Sequence, residues 1–321
     1  MGGIGIIPAS VVIPVCNEAN TIGDTIRSIK QQTILPAELI VIDAGSNDDT
    51  LGIVKREWKN NQLDISECVL VIEVVPGAYP GVGRNRGIKI SKMEWVIFLD
   101  AGIYPEEDWL KKLWQCQEDS HENAIFGQCD FDSDHPIGKA VCAVSYGIGK
   151  VISTIPGSII NKNIFNKIGY FREDLLSAED LEWRDRFSNI YDDITVCKQT
   201  VLHYRDVPVN FLAIYNKWHR NSVNTVLSGM MRMQIVLYLV VSMLFLVLVI
   251  IKPWIALIML LFYFLIRGLV DPVRRSGRSK WWKNSSSSLL IVPFVTITID
   301  ISKSIGFAYG IYKNIKLQIT L

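Results

Sequence analysis

The chain has 321 residues, enough for one large domain plus an appendage. Its formal net charge of +1 at pH 7 gives no support for nucleic-acid binding through bulk electrostatics. Hydrophobic residues make up 49%, and the apolar excess gathers after Met233, so the chain divides into a soluble part and a membrane part.

The six cysteines (Cys16, Cys68, Cys116, Cys129, Cys142 and Cys197) are scattered without a Cys-x-x-Cys pair. That argues against a zinc site and a disulfide scaffold, and it predicts reduced, buried thiols in a cytosolic domain. Gly2 to Ile7 is apolar but short, lacks a basic flank and runs into a strand, so no secretory signal is expected there.

Ser10 to Val15 reads as a buried strand. Asn20 or Thr21 caps a helix whose apolar face is Ile22, Ile26 and Ile29. Leu39 to Ile42 is a second buried strand. It delivers the polar loop Asp43 to Thr50, which leads into a helix ending near Asn60. Cys68 to Val75 is a third strand, and Gly81 to Lys92 a loop and helix. Trp95 to Leu99 is a fourth strand, ending at Asp100-Ala101-Gly102. Glu106 to Gln117 is a helix with acidic residues in its first turn, as the helix dipole favours. Ala124 to Phe131 is a fifth strand. Five alternations of strand and helix imply a parallel, doubly wound sheet. In such sheets ligands bind beyond the strand C-termini, which makes Asp43 and Asp100 the first candidate site residues.

Gly81-Val82-Gly83-Arg84-Asn85-Arg86-Gly87 is close to a dinucleotide fingerprint, but Arg86 stands where its third glycine belongs, and it follows the third strand instead of the first. The reading preferred here is an anion site: Arg84 and Arg86 in a glycine-rich loop at a helix start. Asp130, Asp132 and Asp134 alternate beside His135, which suits either a metal cluster or a solvated loop. Pro136 to Lys150 is glycine-interrupted and apolar, a candidate acceptor-side helix. Glu179 and Asp180 are adjacent and, at a helix start, point about 100° apart. One can face a site while the other anchors a neighbour.

Met233 to Ile251 is apolar and uncharged, and at ~1.5 Å per residue it nearly spans a ~30 Å hydrocarbon core. Lys252-Pro253 turns the chain into a second span, Pro253 to Val270, with Arg267 near enough to its end to snorkel. Arg274, Arg275, Arg278, Lys280 and Lys283 follow with Trp281 and Trp282, so this loop is expected on the cytoplasmic side. Leu289 to Ile301 is interrupted by Pro293 and Asp300 and is expected to be interfacial or re-entrant in preference to a third span.

Val11-Val12-Ile13-Pro14-Val15-Cys16-Asn17-Glu18, Leu39 to Thr50, Arg84-Asn85-Arg86-Gly87, Phe98 to Gly102 and Ala178-Glu179-Asp180 together resemble family 2 glycosyltransferases of the GT-A fold. The resemblance covers roughly residues 8 to 225. It implies an α/β, mostly parallel GT-A catalytic domain over 1–228; the apolar runs and basic residues read above add a transmembrane hairpin over 229–270 and a basic loop with an interfacial or re-entrant segment over 271–321.

By position, the resemblance implies that Pro14, Asn17 and Glu18 line a nucleotide pocket and that Asp43, in its Asp-Ala-Gly45 turn, meets the base. Arg84 would face the diphosphate. Asp100, in its turn with Ala101, would lie at ribose and metal. Asp180 would be the catalytic base, with Glu179 in support. Lys217 and Arg220 would meet the diphosphate or anionic lipid headgroups. The implied donor is a nucleotide-diphosphate sugar, with uridine the commonest base in the family.

The chain departs from the family at Gly102, where the metal motif Asp-x-Asp has its second aspartate. A divalent cation (manganese or magnesium) held by Asp100 and His203, arginines in place of much of the metal's role, and an inactive protein are the three explanations. The Gln-x-x-Arg-Trp motif of processive relatives is absent, which disfavours a long polymer product. The implied function is inverting transfer to a lipid-linked or glycan hydroxyl by an integral protein of the plasma or inner membrane, with its catalytic domain on the cytoplasmic face. A polyprenyl-phosphate glycosyl synthase and a degenerate scaffold are the rivals.

Overall fold

The structure is a computed structural model and describes residues 5–60, 67–276 and 279–320. Gly2 to Ile4, at the start of the apolar leader, and Arg278 of the basic loop lie outside them.

In chain order the elements are β1 (Gly5–Val15), α1 (Ile22–Lys30), β2 (Ile34–Asp43), α2 (Thr50–Lys59), β3 (Val69–Val74), α3 (Pro80–Ile90), β4 (Trp95–Phe98) and β5 (Ile103–Tyr104). Next come α4 (Trp109–Ser120), β6 (Ala124–Phe131), α5 (Pro136–Ser145), β7 (Val151–Asn161), α6 (Lys162–Ile168), α7 (Glu179–Ser188), β8 (Leu202–Tyr204) and α8 (Phe211–Ser228). The chain closes with α9 (Arg232–Ile251), α10 (Pro253–Leu265), a π-helical turn (Ile266–Val270), α11 (Asp271–Arg275), α12 (Trp281–Asn284) and α13 (Ser286–Thr320). They form two compact units. The first is 1–130, 151–174 and 179–205; the second is 131–150, 175–178 and 206–321.

The first unit is built on an eight-stranded sheet in the order β3-β2-β1-β4-β7-β6-β8-β5. β1 to β4 run parallel. The apolar runs of β1, β2 and β4 are buried on both faces, as a sheet covered by helices requires: Val11, Val12, Ile13, Leu39, Ile40, Val41, Val96 and Ile97 are all fully buried, whereas β3, at the end of the sheet, is exposed or half-buried. The predicted parallel order stops there. β7 pairs antiparallel with β4 and with β6, so the fifth predicted strand enters the sheet against β7 and the sheet is mixed. Helix α1 buries Ile22, Ile26 and Ile29, the expected face. An aromatic cluster of Phe98, Phe165, Phe171, Trp183 and Phe187 completes the core, with centroids 5.2 to 6.1 Å apart. The indole N–H of the fully buried Trp183 donates to Gly169 O at 2.9 Å, so its polar atom is satisfied.

Two further local expectations are corrected. α4 begins at Trp109, after Asp108, so Glu106 and Glu107 precede the helix. Cys116 and Cys197 form a disulfide with Cα atoms 5.9 Å apart and 81 residues between them in sequence. Spacing alone could not show that pair, because the fold brings it together. Cys68 and Cys129 remain free and buried, and burial pushes each thiol up to about 12.

The second unit is helical. Arg232–Ile251, Pro253–Arg275 and Ser287–Ile319 are each long and apolar enough to cross a membrane. α13 runs unbroken for 35 residues through Pro293, where the sequence suggested an interruption. Gly268, in the π-helical turn, packs against this proline. A Cβ there would lie 3.3 Å from the Cα, Cβ and Cγ of Pro293, so the absent side chain makes room for the proline ring. Arg267 does not snorkel freely: its guanidinium forks onto Asp300 at 3.1 to 3.2 Å and also pairs with Asp271.

Candidate functional site

The loops after β1 and β2 are stitched together. Asn17 N donates to Ser46 Oγ at 2.9 Å, Glu18 N to Thr50 Oγ1 at 2.8 Å, and Ala19 N to Asp48 Oδ2 at 3.1 Å. Asn17 Oδ1 accepts from Asn47 N at 2.8 Å. Asn17 itself sits at φ +58°, a conformation asparagine tolerates better than most residues. Pro14 lies just upstream, half-buried at the end of β1. Glu18 closes the start of α1, its carboxylate accepting from Thr21 Oγ1 at 2.6 Å.

Asp43 is buried and accepts from Gly45 N, Ser46 N and Ser46 Oγ, three bonds from its own loop. Gly45 and Gly102 stand at φ +88° and +79°, so both Asp-Ala-Gly turns end in a left-handed glycine. The second turn closes with Ile103 N donating to Asp100 O, and Gly102 N donates to Thr25 Oγ1. Backbone geometry thus favours glycine where the family motif has an aspartate.

Arg84 and Arg86 are not in a loop. Pro80 starts α3, and both arginines lie within it. The glycines of this segment serve packing. A Cβ on Gly81 would meet Arg172 O at 2.2 Å, on Gly83 Pro14 Cβ at 3.0 Å, and on Gly87 Val12 Cγ1 at 2.3 Å. Arg86 pairs with Glu73 at 2.7 Å. Arg84 is buried, donating to Glu179 through Nη1 and to Asp100 Oδ1 through Nη2 at 2.9 Å. Its Nε is buried without a partner among the described residues. Asn85 helps hold the opposite wall, accepting from Phe171 N and donating to Phe171 O and Glu173.

The electrostatics follow from this enclosure. Burial opposes the Arg84 charge, but Asp100, Glu179 and Asp180 outweigh it and push the guanidinium further up. Burial raises the Glu179 carboxyl, with Arg84 pulling it down and Asp180 raising it again. Three carboxylates thus surround one guanidinium. Glu179 is buried and Asp180 half-buried in the first turn of α7, the unequal pair their adjacency suggested.

His203 reaches the same sheet edge because β8 pairs with β5, placing it opposite Tyr104, four residues past Asp100. Its Nδ1 lies 2.6 Å from Asp130 Oδ1, with Arg205 against the same carboxylate at 3.4 Å. Its Nε2 is 3.9 Å from Glu106 Oε1. Among the described residues no group of three His, Cys, Asp or Glu side chains is gathered as a metal site, the Asp130–Asp132–Asp134 alternation included. The donor chemistry nevertheless fits a divalent cation. A carboxylate that orients a histidine through Nδ1 leaves Nε2 for a ligand. Asp100 is a third exposed with Arg84 on one oxygen only. Cations of this class take one or two carboxylates and complete their shell with substrate phosphates and water.

Asp130, Glu106 and Arg205 were not singled out individually as site residues; only the β5–β8 ladder gathers them. Lys217 and Arg220 belong to α8 in the second unit. Burial lowers the Lys217 ammonium, whose Nζ lies 5.9 Å from the Trp218 ring, and Arg220 is exposed.

Parallel strands that end in acidic turns, extended by antiparallel strands bearing further polar groups, define a GT-A-type domain. The structure of the mannosyltransferase PcManGT from Pyrobaculum calidifontis, in complex with GDP-Man and Mn2+, has this fold. It superposes with a TM-score of 0.55 over 95% of this chain and 87% of that one, at 15% identity. The chain belongs to glycosyl transferase family 2, whose family model matches residues 10–172. It is 25% identical over 206 residues to the glycosyltransferase AglE of Haloferax volcanii, covering 60% of this chain and 65% of that protein. It is 26% identical over 199 residues to the poly(ribitol-phosphate) beta-N-acetylglucosaminyltransferase TarP of Staphylococcus aureus, covering 57% of this chain and 54% of that one. The matched stretches thus span less than two thirds of either relative's own length.

Proposed function

We propose that the protein is an inverting glycosyltransferase that moves a sugar from a nucleotide-diphosphate sugar to an acceptor hydroxyl, on a lipid-linked or glycan acceptor. The observation that carries this reading, beside family membership, is the convergence of Asp100, Glu179 and Asp180 on Arg84 at the strand tips. The solved neighbour's GDP-Man and Mn2+ support a nucleotide-sugar donor and a divalent cation.

Asp180, half-buried in the first turn of α7, takes the proton of the acceptor hydroxyl. The acceptor oxygen then forms its bond to the anomeric carbon while the bond to the diphosphate oxygen breaks, and that oxygen leaves with the electron pair. A single direct displacement inverts the centre. Arg84 holds Asp100 and Glu179 in place, which makes it a positioning residue. Asp100 and His203 would hold a divalent cation, which would supply positive charge against the departing diphosphate. The loops stitched through Asn17 and Asp43 receive the nucleoside.

The apolar helices α9, α10 with α11, and α13 anchor the chain in a membrane. The basic residues Arg274, Arg275, Lys280 and Lys283 support a cytoplasmic position for the hairpin's open end. The test is a screen of nucleotide sugars for binding and nucleotide release by the full chain, with and without manganese. Asp180→Asn should abolish transfer to a hydroxyl while leaving donor binding intact. Transfer that survives Asp180→Asn would point to a phosphate acceptor, which needs little base catalysis. An absence of turnover with every donor and cation would overturn the enzyme reading.

A further inference from the structure

The second unit contains a cavity of about 240 Å³ to which α5, α8, α9, the α10–α11 segment and α13 all contribute. Its polar lining includes Ser145, Asn221, Tyr238, Arg267, Arg275 and Lys303. Most of Arg267 is already used, because it forks onto Asp300 and also meets Asp271. Asp300 is used as well, accepting from Tyr238 at 3.2 Å and Tyr263 at 2.9 Å besides Arg267. Arg275 gives only its Nε to Asp271, at 3.2 Å. Lys303 Nζ stands 5.5 Å over the Tyr238 ring, and among the described residues it has no ion pair or hydrogen bond. Ser145 Oγ and Asn221 Oδ1 are buried without a hydrogen-bond partner among the described residues.

Three cations therefore face two carboxylates, and the unspent donors are the Arg275 guanidinium edge, the Lys303 ammonium and the Ser145 hydroxyl. Unpaired donors and surplus positive charge around a half-open cavity suit a phosphate group. The unpaired Asn221 oxygen suits a hydroxyl or a protonated phosphate oxygen beside it. Depth favours a lipid as the source. Counting from the turn at Lys252 at ~1.5 Å per residue, Arg267 lies roughly 22 Å and Arg275 roughly 35 Å along the helix. Against a ~30 Å hydrocarbon core, that range runs from the acyl region into the headgroup layer.

We propose that this cavity binds the phosphate headgroup of an anionic lipid, with Arg275 and Lys303 meeting the phosphate oxygens and Ser145 donating a further hydrogen bond. The choice of a lipid over a soluble phosphate rests on the reading that these helices cross a bilayer, whereas the phosphate chemistry does not.

The test uses the full chain in a neutral detergent, with native mass spectrometry and thermal unfolding as readouts. The probes are phosphatidic acid, diacylglycerol and inorganic phosphate. Phosphatidic acid should be retained and should raise the unfolding midpoint, and diacylglycerol should do neither. Lys303→Gln and Arg275→Gln should each weaken retention about tenfold or more, and Lys303→Arg should restore it. Arg275 is partly exposed, so its variant remains informative if Lys303→Gln fails to fold. Unchanged retention in Arg275→Gln and Lys303→Gln, or equal retention of diacylglycerol, would overturn the proposal. Inorganic phosphate binding as tightly as phosphatidic acid would overturn the lipid assignment. Alkaline carbonate extraction of the chain from membranes separately tests the anchoring, and release into the supernatant would sink that reading.

Discussion

Arg84 and Asp100 meet across the tips of α3 and β4, Nη2 to Oδ1 at 2.9 Å, and the same guanidinium holds Glu179. Sixteen residues separate the first pair and 95 the second. One arginine thus ties a strand-tip carboxylate to the start of the helix that carries Asp180. The loss of either contact would reach the other through a side chain that is only 5% exposed.

Arg84→Met should therefore cost much more than a surface change. It leaves Asp100 and the buried Glu179 without their cation, and breaking a buried pair in this way costs about 3–5 kcal/mol. Thermal unfolding of the full chain in detergent reads the loss. A shift no larger than that of Arg86→Met, whose pair with Glu73 is partly exposed, would refute the buried-clamp assignment.

Glu179 makes stability depend on pH in a defined direction. Burial raises its carboxyl above the ordinary 4.5, so the folded chain holds that proton more tightly than the unfolded one. Its contribution is complete below 4.5 and is lost as pH rises through the raised value. Glu179→Gln has no such titration. The stability of the native protein relative to this variant should fall as pH climbs from 4.5, measured by denaturant unfolding at a series of pH values. A difference that grows with pH would reverse the assignment.

Gly102→Asp restores the family's second aspartate on paper, but at φ +79°. A side chain there should cost about 1–3 kcal/mol. Calorimetry of this variant should show a lower midpoint than Ala101→Asp, a neighbouring position without a positive φ. Equal midpoints would remove the backbone explanation for Gly102.

Gly87→Ala places a methyl 2.3 Å from Val12 Cγ1, between α3 and the central strand. Overpacking of this kind costs about 1–3 kcal/mol. Val12→Ala in the same chain should recover part of the loss, and a double-mutant cycle measures the coupling. Additive effects would show that α3 does not bear on β1 at this point.

The parallel half of the sheet was legible because fully buried strands leave an unmistakable trace, as in Leu39 to Ile42 and Trp95 to Leu99. β7 was not, since Val151 to Thr154 is exposed or half-buried and carries no clean alternation. Arg84 was found for its charge but expected at a ligand. A glycine-rich run that packs a helix and one that cradles a phosphate look alike in one dimension. The contacts of Gly81 and Gly87 with residues far along the chain, or on β1, tell them apart. Glu179 and Asp180 were legible as a pair, but which of the two is buried depends on how α7 docks. The role of Asp130 depended on β8, which is only three residues long. Pro293 suggested a break that α13 does not show.

The fork between Arg267 and Asp300 gives biogenesis a direction in the membrane-anchored reading. In that reading Arg267, 33 residues ahead of Asp300 in the chain, would enter with the hairpin alongside Asp271, its partner one turn on. When α13 follows, its aspartate meets a guanidinium that is already at the right depth, and an otherwise costly acidic residue becomes the latch that seats the last helix.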